Sequence, residues 1–244
     1  MRVGKWAVPA GLLVVAIGGV ALAIVGARGG DDDDDGGAAG SATSTTMATG
    51  GMDIAAPDGW TDVPLPTLGF GIAVPPGWEA TRLDAQGLAS TSEASPAVPG
   101  FVDAAHAAAQ SGALLYAAGV DAEGRVTDLK VLAEALDSGI TDAAGLQTYA
   151  LQLVSSASLS PTVEVVPDTA QPTVEARFQA TAQRPVEGAD DGSTEEVTAE
   201  VTERLVLSPR GVIYTMIVTS EDPATHDDVA NQVFSTLTFP ANPQ

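Results

Sequence analysis

Residues 6–25, WAVPAGLLVVAIGGVALAIV, are 20 residues without one charged side chain. A helix of that length spans about 30 Å, the thickness of a bilayer's hydrocarbon core. In lipid a helix satisfies its own backbone hydrogen bonds, so a run of this kind has one conformation open to it. Pro9 falls early, where a missing N–H costs least. Gly18 and Gly19 weaken the middle, but glycine is common in membrane helices. Arg2 and Lys5 precede the run and acidic residues come after it. That asymmetry predicts a cytoplasmic N-terminus, with residues 29–244 outside. Arg28 is a lone cation on the outer side and does not reverse the bias. A second reading stays open, a signal peptide cleaved near Ala27 at the small-residue site Val25-Gly26-Ala27. The apolar run exceeds the about 7–15 residues of an ordinary signal core, which favours a retained anchor. Both readings export the rest of the chain.

Residues 29–52 read as a linker. Asp31, Asp32, Asp33, Asp34 and Asp35 repel one another and stay solvated. They lack the spacing and turn glycine of a calcium loop. Gly, Ala, Ser and Thr then dominate, giving flexible coil. Residues 53–244 remain as one domain, long enough for a full core. The chain has no cysteine, so disulfides, thiolate metal sites and lipid attachment at a cysteine are all excluded. Residues 1–28 hold three of the ten basic residues and none of the 32 acidic ones, so the rest carries a net charge of −25. Such a surface repels phosphate backbones and anionic headgroups, which excludes nucleic acid as a partner. Arg outnumbers Lys and the chain is rich in Ala, Gly, Val and Thr, a bias of GC-rich bacterial genomes such as those of actinobacteria.

Within the domain, residues 68–74 (LGFGIAV) predict a strand that Pro75-Pro76-Gly77 must end. Trp78 then folds back onto the core. Residues 83–99 lack periodicity and read as loop. Residues 101–110 predict a short helix with Phe101, Ala105 and Ala108 on one side. Residues 113–120 and 126–133 read as strands joined by a Gly-containing hairpin loop at 121–125. Thr141 is placed to cap a helix running to about Ser156. Leu146, Tyr149, Ala150, Leu153 and Val154 make its apolar stripe.

The C-terminal half reads as a meander. Residues 173–182 alternate strictly, with Val174, Ala176, Phe178, Ala180 and Ala182 on one face, the pattern of a half-buried antiparallel strand. Residues 184–196 read as an acidic loop. Residues 197–207 alternate too, with Val197, Ala199, Val201, Leu205 and Leu207 inward and Glu203 breaking the pattern. Ser208-Pro209-Arg210-Gly211 turns the chain. Residues 212–218 (VIYTMIV) are apolar on both faces, which predicts a central strand. Arg177 and Arg204 are expected to make weak cross-strand pairs with Glu175 and Glu200. Asp222-Pro223 predicts a cap and first helical position. That helix runs to about Ser235 with Val229, Ala230, Val233 and Phe234 on one face, and Leu237 and Phe239 close the fold.

Three pieces of this pattern resemble the PsbP-like group, which includes actinobacterial LpqN-type lipoproteins. They are Phe70-Gly71-Ile72-Ala73-Val74-Pro75-Pro76-Gly77-Trp78, the strand meander over residues 177–218, and a final helix closing on Phe234-Ser235-Thr236-Leu237-Thr238-Phe239. The resemblance spans most of residues 66–240. It implies an α+β domain, an antiparallel sheet flanked by helices as an α/β/α sandwich, on an exported protein. It also implies a non-enzymatic role among assembly factors, chaperone-like adaptors and binders of ligands or partners. LpqN-type members carry a lipidated cysteine; this chain has none, and one N-terminal transmembrane helix takes that place.

No catalytic constellation is present. His106 and His226 are both expected on helix surfaces, and a hydrolase triad would need a placed Ser and an oxyanion hole. There is no G-x-S-x-G elbow, no Walker A and no G-x-G-x-x-G after a strand. Two distant histidines lack metal-ligand spacing. Asp190-Asp191 and Glu195-Glu196 are sequence neighbours in a loop, not carboxylates opposed across a cleft. The sequence assigns no catalytic, metal or cofactor residue. The expected function is a membrane-tethered, extracytoplasmic binding or assembly domain of the bacterial cell envelope with a protein partner. The alternative is a carrier or sensor of a small apolar ligand held between a helix layer and the sheet. A hydrolase ranks third.

Overall fold

A computed structural model describes residues 56–65, 69–93, 97–98, 100–135, 139–155, 161–185 and 194–239. The apolar run at 6–25 and the linker at 29–52 lie outside the described residues. Among the described residues, no helix is long and apolar enough to cross a membrane.

The chain folds as α+β. Strands β3 (Glu79–Arg82), β4 (Leu115–Val120), β5 (Val126–Ala135), β6 (Thr162–Val165), β7 (Thr173–Pro185), β8 (Thr194–Leu207) and β9 (Val212–Ser220) form an antiparallel sheet. Its order is β3-β4-β5-β9-β8-β7-β6. The apolar β9 therefore lies at the centre, as its sequence predicts. A hairpin of β1 (Thr61–Leu65) and β2 (Phe70–Val74) and helix α4 (His226–Ser235) cover one face. Helices α1 (Ala85–Glu93), α2 (Phe101–Gln110) and α3 (Ala143–Ser155) lie on the other.

The main core is on the hairpin face. Phe70, Ile72 and Val74 of β2 meet Leu129 and Val131 of β5, Met216 and Val218 of β9, and Val233 and Phe234 of α4. Phe70, Tyr214 and Phe239 pack as a tilted aromatic group, with Phe70 and Tyr214 centroids 4.6 Å apart. Leu237 and Phe239 pack on this core, as expected of a closing pair. Trp78 also returns to it after the turn that Trp78 N–H closes on the Pro75 carbonyl at 3.2 Å. Its indole lies on Gly119 so closely that a Cβ there would sit 2.3 Å from the ring, which is why β4 carries glycine at that point.

Several elements differ from the sequence reading. Residues 85–93 are helical, not loop. The Asp84 carboxylate accepts the Gly87 N–H at 2.8 Å, so the N-terminus is capped although no apolar stripe lies beyond it. Gly87 lies against the Arg82 carbonyl, where a Cβ would come within 2.0 Å. Strands β1, β3 and β6 were not anticipated. Pro64 lies in β1, a strand paired only with β2, where a missing N–H is tolerated. The other two are short edge strands of four residues each, too brief to show alternation. Asp142, not Thr141, caps α3, accepting the Gly145 N–H at 2.8 Å. Strands β7 and β8 run further into the acidic segment than expected, to Pro185 and from Thr194. Helix α4 begins at His226 rather than Pro223; Asp222 holds the turn before it, accepting from Ala224 N–H at 3.2 Å and the Thr225 hydroxyl at 2.7 Å.

Candidate functional site

The helices on the outer face do not cover the sheet evenly. Helix α1 packs on β3, α2 on β4, and α3 on β6, β7 and β8. Over the central strands β5 and β9 the cover is partial: Ile213 and Ile217 of β9 are buried in the clusters that Leu146, Ala150 and Val154 of α3 complete. Lys130 and Leu132 of β5 and Thr215 of β9 are only half-buried there. They floor a strip between α2 and α3.

Register fixes what borders the strip. Side chains alternate between faces, and directly opposed residues share one. Tyr116 of β4 lies opposite Lys130, Lys130 opposite Ile217, and Ile217 opposite Glu203 of β8. One row thus runs tyrosine, lysine, isoleucine, glutamate across the face. The adjacent row places Asp128 opposite Thr219.

This is an unusual set of polar groups for a sheet interior. Tyr116, Asp128, Thr219 and Glu203 are all buried. The Tyr116 and Thr219 hydroxyls have no hydrogen-bond partner among the described residues. Burial, with Asp128 nearby, pushes the Tyr116 phenol far up. Burial also raises the Asp128 carboxyl, while Lys130 Nζ at 3.5 Å from its Oδ1 pulls the other way. Tyr149 of α3 donates its hydroxyl to Glu134 of β5, closing one end of the strip. Burial pushes Glu203 up to about 7, with no opposing charge to lower it.

The hairpin face carries a second polar group, fully engaged. Glu175 of β7 receives Arg177 Nε at 2.7 Å and Arg204 Nε at 3.0 Å, and Arg204 Nη2 as well. Burial alone would raise the Glu175 carboxyl; the two guanidiniums outweigh it and hold it below the ordinary range. Arg204 also lies 4.4 Å from the Phe234 ring centroid. The expected pairs therefore converge on Glu175, and Glu200 instead accepts the Gln179 amide at 2.7 Å. Because Glu175 is buried, this is a structural ion cluster rather than a set of weak surface pairs.

The histidines divide. His106 is exposed on α2, as expected. His226 is not on a helix surface: it is buried, because α4 starts one turn later than the proline suggests and its first residue faces the sheet. Its Nε2 shares a hydrogen bond with the Thr202 hydroxyl at 2.8 Å, and burial lowers its pKa. That partner is a buried threonine of β8, and no serine oxygen bonds His226 among the described residues. Asp190 and Asp191 lie outside the described residues. Glu195 and Glu196 belong to β8, not to a loop. Among the described residues no three histidine or carboxylate groups cluster to hold a metal.

Sequence reasoning singled out Glu203 only as a break in an alternating strand. That was the available signal: a charged residue in the apolar phase must be buried with its neighbours. Asp128 and Lys130 share the outer face but sit in a strand without clean alternation, so nothing marked them.

No family model matches the chain, and no curated protein matches it in sequence. Among solved structures it is similar to cyanobacterial PsbP (CyanoP) from Synechocystis sp. PCC 6803, at 15% identity and a TM-score of 0.39, over 82% of this chain and 98% of that one. It is also similar to LpqN of Mycobacterium tuberculosis, a protein involved in cell envelope biogenesis, at 11% identity and a TM-score of 0.44, over 74% of this chain and 92% of that one. PsbP and LpqN are the two kinds of protein that residues 66–240 resemble in sequence pattern, and the likeness is one of fold.

Proposed function

We propose that this chain is a membrane-tethered, extracytoplasmic binding domain of the bacterial cell envelope that does no covalent chemistry. The observation that carries the reading is the strip over β5 and β9. A sheet face only partly covered between two helix groups, with half-buried Lys130, Leu132 and Thr215 on its floor, is a place for a ligand to lie. The tether is supported by residues 6–25, and their flanking charges support an outward-facing domain. The net charge of −25 on the rest keeps nucleic acid away.

A second reading has its own observation. Leu151 of α3 and Val165 of edge strand β6 are large apolar residues at the surface, and α3 packs on β6. They favour contact with a protein partner, so the domain would act through that edge.

Two measurements test the proposal together. After a carbonate wash the full chain should stay in the membrane fraction; a mature form starting at Arg28 in the medium would replace the tether with secretion. A photo-crosslinking residue at position 215 should then trap a small molecule from source-cell membranes, and one at position 151 should not. Trapping of a protein from position 151, with nothing at 215, would give the function to the β6 edge.

A further inference from the structure

His226 ties helix α4 to the sheet. It is the first residue of α4, it is 4% exposed, and its Nε2 shares a hydrogen bond with the Thr202 hydroxyl of β8 at 2.8 Å. Among the described residues this is the one buried hydrogen bond between α4 and the seven-stranded sheet; the bond from Arg177 to Asp227 is exposed. The His226 Nδ1 is buried too, and it has no hydrogen-bond partner among the described residues. A neutral imidazole suits that site, because one nitrogen meets Thr202 and the other need carry no proton. An imidazolium does not. Both of its nitrogens carry protons, and the one at Nδ1 has no acceptor.

The charged groups around His226 are engaged elsewhere. On β7, Glu175 is taken by Arg177 and Arg204. On β8, Glu200 accepts the Gln179 amide, and Arg204 lies over Phe234. On α4 itself, Asp227 pairs with Arg177, and Asp228 is exposed. In the turn before the helix, Asp222 accepts from Ala224 and Thr225 and pairs with Arg125, while Glu221 accepts the Val126 N–H. Val218 and Ser220 of β9, in the same rows as Thr202 and Glu200, are uncharged, as is all of β2. Burial holds the His226 pKa below its ordinary 6.5; Asp227, Glu200 and Glu175 oppose that without reversing it, and Arg177 adds to it. Stability that comes from such a histidine is complete above about 6.5 and is lost as pH falls toward the depressed value.

We propose that His226 is an acid-operated pin: protonation of its imidazole frees α4 from β8, and α4 takes the β1–β2 hairpin with it. The hairpin is a two-stranded sheet of its own, with no ladder to the seven-stranded one. What holds it is apolar packing and the end of α4, where Val233 and Phe234 wall β2 and the Thr236 hydroxyl accepts the Ala73 N–H. Release of α4 therefore uncovers Leu129, Met216 and Val218 on the sheet and Phe70, Ile72 and Val74 on the hairpin, an apolar surface that the neutral-pH fold keeps shut. Nothing in this device depends on what lies on the opposite face of the sheet.

The test is hydrogen exchange on the full chain in nanodiscs of zwitterionic lipid, at about pH 7.5 and about pH 5, corrected for the intrinsic pH dependence of exchange. Protection of α4 and β2 should fall at least about tenfold at the lower pH, the scale of a buried charged donor left unpaired. Protection of β7, which pairs with β6 and β8 and not with the hairpin, should stay within about twofold. In His226→Gln, whose amide can still meet Thr202 but does not titrate, α4 and β2 should keep their protection at both values. Glu203 titrates in the same range and is untouched in that variant, so it cannot mimic the result. If circular dichroism shows that His226→Gln does not fold, the His226 ring resonances of the original chain decide instead: their titration midpoint should coincide with the loss of α4 protection. The same loss in His226→Gln, a fall in β7 equal to that in α4, or titration of His226 with α4 protection unchanged would overturn the proposal.

Discussion

Phe178→Ala should lower the unfolding free energy by about 3–5 kcal/mol, the cost of truncating a buried aromatic and leaving a cavity. Phe178 is buried among Val154 of α3, Ala176, Ala180, Val201 and Ile217. Those neighbours come from one helix and three strands, so the void cannot close without moving the α3 interface. Gln179, one residue on, points to the opposite face, is exposed, and holds only the Glu200 carboxylate. Gln179→Ala should stay within about 0.5 kcal/mol, as for a surface change. Urea unfolding of the two variants of residues 53–244 separates them. Because side chains alternate, a register displaced by one residue would exchange the two results. Equal small losses would remove β7 from the sheet altogether.

Glu203→Gln should stabilise the protein by about 3 kcal/mol near pH 8 and by almost nothing near pH 4. The carboxyl stands at about 7 in the folded chain against an ordinary 4.5. Below the ordinary value it is protonated in both states and burial carries no charge penalty. Between the two values the unfolded chain releases the proton that the folded chain keeps, so stability falls as pH rises. Above about 7 the penalty is complete, at about 1.4 kcal/mol for each unit of difference. The charged groups around it are engaged elsewhere, Lys130 with Asp128 and Tyr149 with Glu134, so none relieves it. Denaturant melts of the original chain and the variant from about pH 4 to 9 give the difference directly. A difference that does not change with pH would mean that Glu203 has a counter-ion in the folded protein.

Elements whose burial leaves a local pattern were legible: alternation or a stripe where one face is covered, a continuous apolar run where both are. The alternation of residues 173–182 located β7, the doubly apolar run at 212–218 placed β9 at the centre, and the stripe from Leu146 to Val154 located α3. Elements held by other means were not. Helix α1 relies on the Asp84 cap and a tight approach of Gly87, and β3 and β6 on pairing with a longer neighbour. The strip was invisible for a related reason. Which residues of β5, β9 and β8 share a row depends on register, and register across strands far apart in sequence is written in no local pattern. Glu203 was noticed, but its isolation comes from Ile217 and Ala176 standing beside it. His226 was misplaced because a proline suggested the helix start and the Asp222 turn delayed it.

The first hairpin of the domain is bonded by the last residues of the fold. The Thr236 hydroxyl accepts the Ala73 N–H at 2.8 Å across 163 positions of chain, and Thr238 exchanges backbone hydrogen bonds with Gly71. Helix α4 supplies much of the wall that β2 packs against. Half of the main core therefore cannot assemble until residues 226–238 have been made. Closing so large a loop before its contacts repay the entropy slows folding. Until then Phe70, Ile72 and Val74 lack the wall that α4 provides. Loss of even the last helix would then be felt at the N-terminal end of the domain, as a hairpin with nothing to lean on.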